Sequence, residues 1–233
     1  MRFLNALKND FRFQIKYGFY FLYAFFSVVY IVVLLITPAE YKHMTASLII
    51  LTDPAMLGIF FIGGIWLLEK GEGLHGFWNI SPLRPLEYIL AKAISLAALS
   101  TVSADLIVLI GMGSMAHFVD LSFSVFFGAV VFNLIGLMIA SYAHSVNHYM
   151  LIVCLPTAFL SMPPVLTAFG ITHPLLELFP GTALWHMIAG TIGMTRSVNG
   201  RTAMVLIIWL GLLSFLTNKR IGAALQSEGG QDA

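Results

Sequence analysis

Between Leu121 and Ala143 the chain runs without a single charged side chain, and Phe19 to Ile36 is as apolar. A helix rises 1.5 Å per residue against a hydrocarbon layer about 30 Å thick, so about 20 apolar residues make one crossing. Hydrophobic residues form 59% of the 233 residues and charged residues only 10%, too apolar a surface for a water-soluble fold of this size. The fold class predicted is therefore all-α, a polytopic integral membrane protein in contact with lipid. Composition also excludes a nucleic-acid partner. The single cysteine, Cys154, lies in an apolar run and supports neither a disulfide framework nor a metal cluster.

Six spans follow from the apolar runs. The first is Phe19 to Thr37, closed by Thr37-Pro38, and no small-residue cleavage site follows it, so it is read as a retained helix. In the second, Asp53-Pro54 reads as an N-cap with proline at the first helical position. Pro54 to Leu68 is too short to cross alone, so that helix either begins upstream near Leu48 or is shielded by neighbours. The third span is Tyr88 to Met115 and the fourth Leu121 to Ala143, where Gly128, Gly136 and Ala140 permit close helix approach. The fifth, Met150 to Phe169, carries Pro156, Pro163 and Pro164 and should kink. The sixth is Thr202 to Thr217.

Residues 1–16 place Phe3, Leu4, Leu7, Phe11 and Ile15 at helical spacing, with Arg2, Lys8, Arg12 and Lys16 mostly off that stripe. This is either an amphipathic helix lying in the interface or a solvated basic tail. Residues 170–200 are broken by Pro174, Pro180 and several glycines, and read as a hairpin of two short helices at the outer surface or partly inserted there. Residues 1–218 thus form one transmembrane domain, and 219–233 a polar, disordered tail.

With six crossings both termini share a face. That face holds Arg2, Lys8, Arg12, Lys16, Lys70, Arg84, Lys92, Lys219 and Arg220 of the twelve basic residues, so the positive-inside rule makes it cytoplasmic.

Catalytic and metal motifs are missing. No GxxxxGK[ST] phosphate loop occurs, and His144 and His148 enclose Ser145-Val146-Asn147 without the glutamate of a zinc hydrolase. No catalytic, cofactor or metal residue is assigned. Asp105 lies among apolar residues, where an ionised carboxylate costs about 2.5 to 3.5 kcal/mol near mid-bilayer. It either faces a translocation cavity and attracts a cation, with Asn133 as the amide of the fourth span, or it sits nearer the outer end, is protonated, or pairs with a polar neighbour such as Asn133.

The polar island at 69–85 separates spans two and three. Leu74, Phe77 and Trp78 share one helical face, after a bend at Gly71 and Gly73 and before Ser81-Pro82. Pro85 suits the first position of the next helix, with Glu87 in its first turn. Spacing alone is equally compatible with an interfacial helix that meets no partner.

The island resembles the segment joining the second and third helices in permeases of type-2 ABC exporters, through Glu69, Lys70, Glu72, Gly73, Ser81, Pro82, Leu83, Pro85, Glu87, Tyr88 and Lys92 in order. The layout of N-terminal helix, six spans and proline-broken hairpin before the last span resembles them too, and drug-export permeases of the fluoroquinolone-exporter kind most. Gly71 and Leu74-His75 depart from the usual pattern. The resemblance implies that 69–85 is a coupling helix seated on a separate ATPase, with Glu69, Lys70, Glu72, Gly73, Phe77, Trp78, Ser81 and Pro82 at the contact. It implies two ATPase copies that bind ATP and Mg, none of it held by this chain, and a second permease copy or a related permease in a prokaryotic inner membrane. The path would carry a hydrophobic or amphipathic substrate such as a drug. The rival reading is a proton-coupled secondary carrier using Asp53, Asp105 and His117.

Overall fold

The computed structural model describes residues 2–76, 83–113, 117–193 and 200–229. All regular secondary structure among them is helical: α1 (Arg2–Lys16), α2 (Phe19–Ile36), α3 (Ala39–Ile50), a π-helical segment (Leu51–Ala55), α4 (Gly58–Gly71), α5 (Pro85–Met112), α6 (Phe118–Ala140), α7 (Val146–Ala168), a 3₁₀ turn (Leu176–Leu178), α8 (Pro180–Thr191) and α9 (Gly200–Gly229). Six helical stretches are long and apolar enough to cross a bilayer: 19–36, 39–71, 85–112, 118–140, 146–168 and 200–225. This is a multi-pass membrane protein.

The second span answers the length problem at Pro54 by starting at Ala39, so that 33 residues run to Gly71. Asp53-Pro54 is accordingly not a helix start. It lies in the π segment between α3 and α4, because a proline inside a helix cannot donate its bond and the turn widens around it. The predicted helix start at Pro85 holds: the Arg84 backbone N–H donates to Glu87 Oε2 at 2.9 Å. The last helix passes the polar Asn218-Lys219-Arg220 and continues to Gly229, beyond the end expected at Thr217, since Ile221, Ala224 and Leu225 are buried against the bundle. In the broken region, one 3₁₀ turn precedes the twelve-residue α8, whose Ala183, Leu184, Trp185 and Ile188 are buried. The remainder of that hairpin, 194–199, lies outside the described residues.

Helix α6 is the axis of the bundle, with fourteen buried residues. Glycine lets α4 reach it: a Cβ on Gly136 would stand 2.5 Å from the Ile59 carbonyl oxygen and 2.8 Å from Ile59 Cα, so only hydrogen fits. Tyr149 of α7 donates to that same carbonyl. Asn133 is completely buried and its Nδ2 donates to the Ala93 carbonyl at 3.0 Å, tying α6 to α5. Helix α2, mostly exposed, is held to α5 by hydroxyl pairs: Tyr23 with Ser100 at 2.9 Å and Ser27 with Ser103 at 2.6 Å.

One end of the bundle gathers α1, the start of α5 and the C-terminal part of α9, where Arg220 donates to Ser141 Oγ at 3.2 Å and lies 4.0 Å over the Tyr142 ring. This is the basal end below, and the opposite end is the distal one.

Candidate functional site: a buried charge joint beneath the polar island

Helix α1 presents a largely polar face to the bundle. Its buried residues are Ala6, Asp10 and Gln14, one per turn, whereas Leu4 and Ile15 remain exposed. The apolar stripe thus faces outward, free to lie in lipid, and a polar line turns inward. That line meets α5 at Lys92, seven residues and about 10 Å from Pro85.

Lys92 is 2% exposed. Its ammonium donates to Asp10 Oδ1 at 2.9 Å and to Glu69 Oε1 of α4. Tyr88, one turn earlier on α5, donates to the other Glu69 oxygen at 2.6 Å, and its ring lies 4.8 Å from the ammonium. Gln14 Nε2 donates to Ser95 Oγ at 2.8 Å, one turn further along. Three helices, the N-terminal one and those flanking the polar island, are therefore bound through one ammonium. Two carboxylates share it, so the fully ionised set carries one excess negative charge. Burial above all, with Glu69 adding and Lys92 opposing, raises the Asp10 carboxyl to about 6.

The island itself begins on this joint. Lys16, Tyr17 and Glu72 form an exposed cluster, with Lys16 Nζ 3.4 Å from Glu72 Oε1 and the Tyr17 hydroxyl donating to the same oxygen. The Tyr17 bond, with Lys16 in support, holds the Glu72 carboxyl below the usual carboxylate range. His75, buried, packs its ring 4.1 Å from Trp66 of α4, and Trp66 lies 6.0 Å from Tyr88.

Of the residues expected at a partner contact, Glu69 faces inward and is 2% exposed, Glu72 and Gly73 are exposed, and Lys70 is half-buried. Phe77, Trp78, Ser81 and Pro82 lie outside the described residues. Asp10, Tyr88 and Lys92 were not expected as a group. The available signals were an acid in an otherwise basic helix, spaced one turn from Ala6 and Gln14, and a lysine two turns inside an apolar span.

The distal residues are arranged differently. Asp105 accepts from Ser122 Oγ at 2.8 Å rather than from Asn133. His117 and Asp120 form an exposed pair at 3.5 Å. Asp53 is buried in the π segment, where Tyr30 donates to it. No hydrogen bond or ion pair among the described residues joins Asp53, Asp105 and His117 to one another, and no cluster of three metal-ligating side chains occurs among them.

Comparison with known proteins agrees with this architecture. The chain is 29% identical over 180 residues to the fluoroquinolones export permease proteins of Mycobacterium tuberculosis strains CDC 1551 / Oshkosh and ATCC 25618 / H37Rv, covering 77% of this chain and 76% of each relative. No solved structure matches. The model of the fluoroquinolones export permease protein family matches residues 1–216, and with six apolar spans beneath that match the chain belongs to this family of membrane transport permeases.

Proposed function

We propose that this permease is the membrane path of an ATP-driven exporter of the type-2 ABC class, moving a hydrophobic or amphipathic substrate and driven by a separate ATPase bound at the basal end. The observation that carries the reading is the Asp10–Lys92–Glu69 joint. A force applied to the polar island reaches α4 through Glu69, α5 through Lys92 and α1 through Asp10, because a buried ion pair resists separation by several kcal/mol. The island's two flanking spans then move as a unit, which is what a device that converts partner closure into helix movement needs.

In this reading Glu69 transmits through the joint, and the exposed Glu72 and Gly73, with Phe77, Trp78, Ser81 and Pro82, meet the ATPase. The basal end is cytoplasmic, consistent with its share of Lys and Arg. Two ATPases carrying ATP and Mg act on two permeases, identical or related. The names of the tuberculosis relatives support a drug of the fluoroquinolone kind as cargo.

The test is co-expression of the chain with the proteins encoded beside it in its source genome, affinity capture of any ABC ATPase among them, and export assays in inverted vesicles. The ATPase is expected to co-purify with the parent and to be lost from Glu72→Arg, which leaves the buried joint intact. Uptake into vesicles should need ATP and survive collapse of the proton gradient. Transport by the chain alone, driven by a proton gradient, overturns the proposal in favour of a secondary carrier.

A further inference from the structure

At the distal end α5 and α6 enclose a groove of about 290 Å³, lined by Thr101, Phe118, Val119, Ser122, Phe123 and Phe126. It opens sideways: Val119 and Phe123 are 63% and 59% exposed on the face of the bundle that would contact lipid. Its polarity is concentrated at Ser122, behind which stands Asp105, seven residues and about 10 Å from the end of α5.

The carboxylate there is short of donors. A carboxylate has about four acceptor positions. Ser122 has one hydroxyl hydrogen, and its oxygen lies 2.8 Å from Asp105 Oδ2 and 3.0 Å from the Phe118 carbonyl, so that hydrogen serves one acceptor or the other. Asp105 Oδ1 is buried with no hydrogen-bond partner among the described residues. The chain offers no resident cation nearby along these helices, for no Lys or Arg occurs between Lys92 and Arg196. A half-buried acceptor without a donor costs about 1–3 kcal/mol, more when charged, and whatever brings a donor into the groove recovers that.

The same observations select the occupant. A phosphate-bearing zwitterion would bring an ammonium to Asp105 but leave its phosphate near the carboxylates of Asp105 and Asp120, where His117 is already paired with Asp120. An amine attached to an apolar or aromatic body brings only the charge that is missing. Its ring would lie on the Phe123 and Phe126 side chains, whose faces favour a cation as well as an apolar surface. Beyond Phe123 lies an apolar crevice of about 240 Å³ between α6, α8 and α9, walled by Phe123, Phe127, Met187, Leu206 and Leu210. The Phe123 ring borders both spaces and stacks 6.2 Å from Phe127, so an alkyl extension has a path from one to the other.

We propose that this α5–α6 groove binds lipophilic amines from the surrounding bilayer, with Asp105 as the counter-ion, Ser122 yielding its bond to Asp105 while keeping the Phe118 carbonyl, and Phe123 carrying the ring. Calling that amine a cargo rests on the export reading above; the binding itself does not.

The test uses the full chain in lipid nanodiscs with Cys154→Ser and a reporter, Val119→Cys, in the groove wall. The rate of maleimide labelling is followed with 1-naphthylmethylamine, or with its neutral twin 1-naphthylmethanol. The amine is expected to slow labelling at concentrations about tenfold below those at which the alcohol acts, the worth of one charge-assisted hydrogen bond. Adding Asp105→Asn should remove that tenfold preference, and Asp105→Glu should keep it, with unchanged thermal unfolding certifying each fold. Equal protection by amine and alcohol, or a preference that survives Asp105→Asn, overturns the proposal. Labelling needs neither ATP nor partner, so failure of ATP-driven export leaves this result standing, and failure here leaves the exporter reading standing.

Discussion

Beyond its first turn helix α5 carries two charged residues, Lys92 seven residues from one end and Asp105 seven from the other, and the bundle treats them oppositely. Lys92 is enclosed and oversupplied, with two carboxylates, a tyrosine ring and a neighbouring Gln–Ser bond. Asp105 is half-buried and undersupplied, with one shared hydroxyl. Both lie about 10 Å from a helix end, so depth does not explain the contrast. What differs is who provides the partner. At the basal end the protein provides it, from two other helices, and the charge becomes a fastener. At the distal end the described residues provide only the Ser122 hydroxyl, and Asp105 Oδ1 has no partner among them.

The largest effect expected from this contrast is at Lys92. Lys92→Ala leaves Asp10 and Glu69 buried without their cation, and removing one partner of a buried pair costs about 3–5 kcal/mol. A steep fall in the thermal midpoint of the purified protein, followed by tryptophan fluorescence in detergent, is the expected result. The triple replacement Lys92→Met, Asp10→Asn, Glu69→Gln discards the charges together and should recover most of the loss. Asp105→Ala should cost less than about 1 kcal/mol, since it removes only one shared hydrogen bond. Equal destabilisation by Lys92→Ala and Asp105→Ala would erase the distinction between fastener and binding charge.

How far the sequence reveals these two regions follows from the range of the forces involved. Spans declare themselves because each apolar run must satisfy the bilayer by itself, and the capping at Pro85 and Glu87 is local. The extent of the second span was not local. The π segment at Leu51–Ala55 forms because Ala39–Ile50 packs as helix ahead of the proline, so Asp53-Pro54 ends up within a helix although its chemistry is that of a start. Likewise α9 outlasts its apolar run because Ile221 and Ala224 find neighbours that polarity along the chain does not disclose. The polar island was recognisable by its ordered residues, but the joint below it joins positions 10, 69, 88 and 92. Amphipathic periodicity marked the apolar stripe of α1 that lies outward, but it ranks faces by apolarity and so did not disclose that the polar line of Asp10 and Gln14 fastens the helix to the bundle.

A finer contrast separates two glutamates three residues apart. Glu69 receives Lys92 and Tyr88 in the interior, whereas Glu72 meets Lys16 and Tyr17 in the open. Glu69→Gln keeps the shape but removes one of two charges facing Lys92, and should cost about 1–3 kcal/mol by the same melting assay. Glu72→Gln should lie within about 0.5 kcal/mol of the parent, as exposed pairs contribute little. If Glu72→Gln also lowers capture of the ATPase while Glu69→Gln lowers stability first, docking and transmission occupy adjacent but separate residues. A reversed pattern would merge the two roles.

A weaker effect than that of Lys92→Ala concerns protons at the fastener. Asp10 ionises near 6 when α1 is docked, against about 3.8 in water, so the docked form holds a proton that the undocked form releases. Below about pH 4 both forms are protonated and burial of Asp10 costs nothing extra. As pH rises from about 4 through 6 the docked carboxylate becomes charged among Lys92, Glu69 and the Tyr88 ring, and docking weakens. Between pH 7 and pH 5 acidification should strengthen it by about 1 kcal/mol, since each pKa unit is worth about 1.4 kcal/mol. A spin label at Lys8→Cys, in the Cys154→Ser background, reads this as a mobile fraction that shrinks on acidification. In Asp10→Asn, neutral at every pH, the fraction should be small and flat from pH 5 to pH 7. A mobile fraction that grows on acidification would mean that the Asp10 charge outweighs its desolvation. The joint would then behave as a simple ion pair, not as a cation shared by one carboxylate too many.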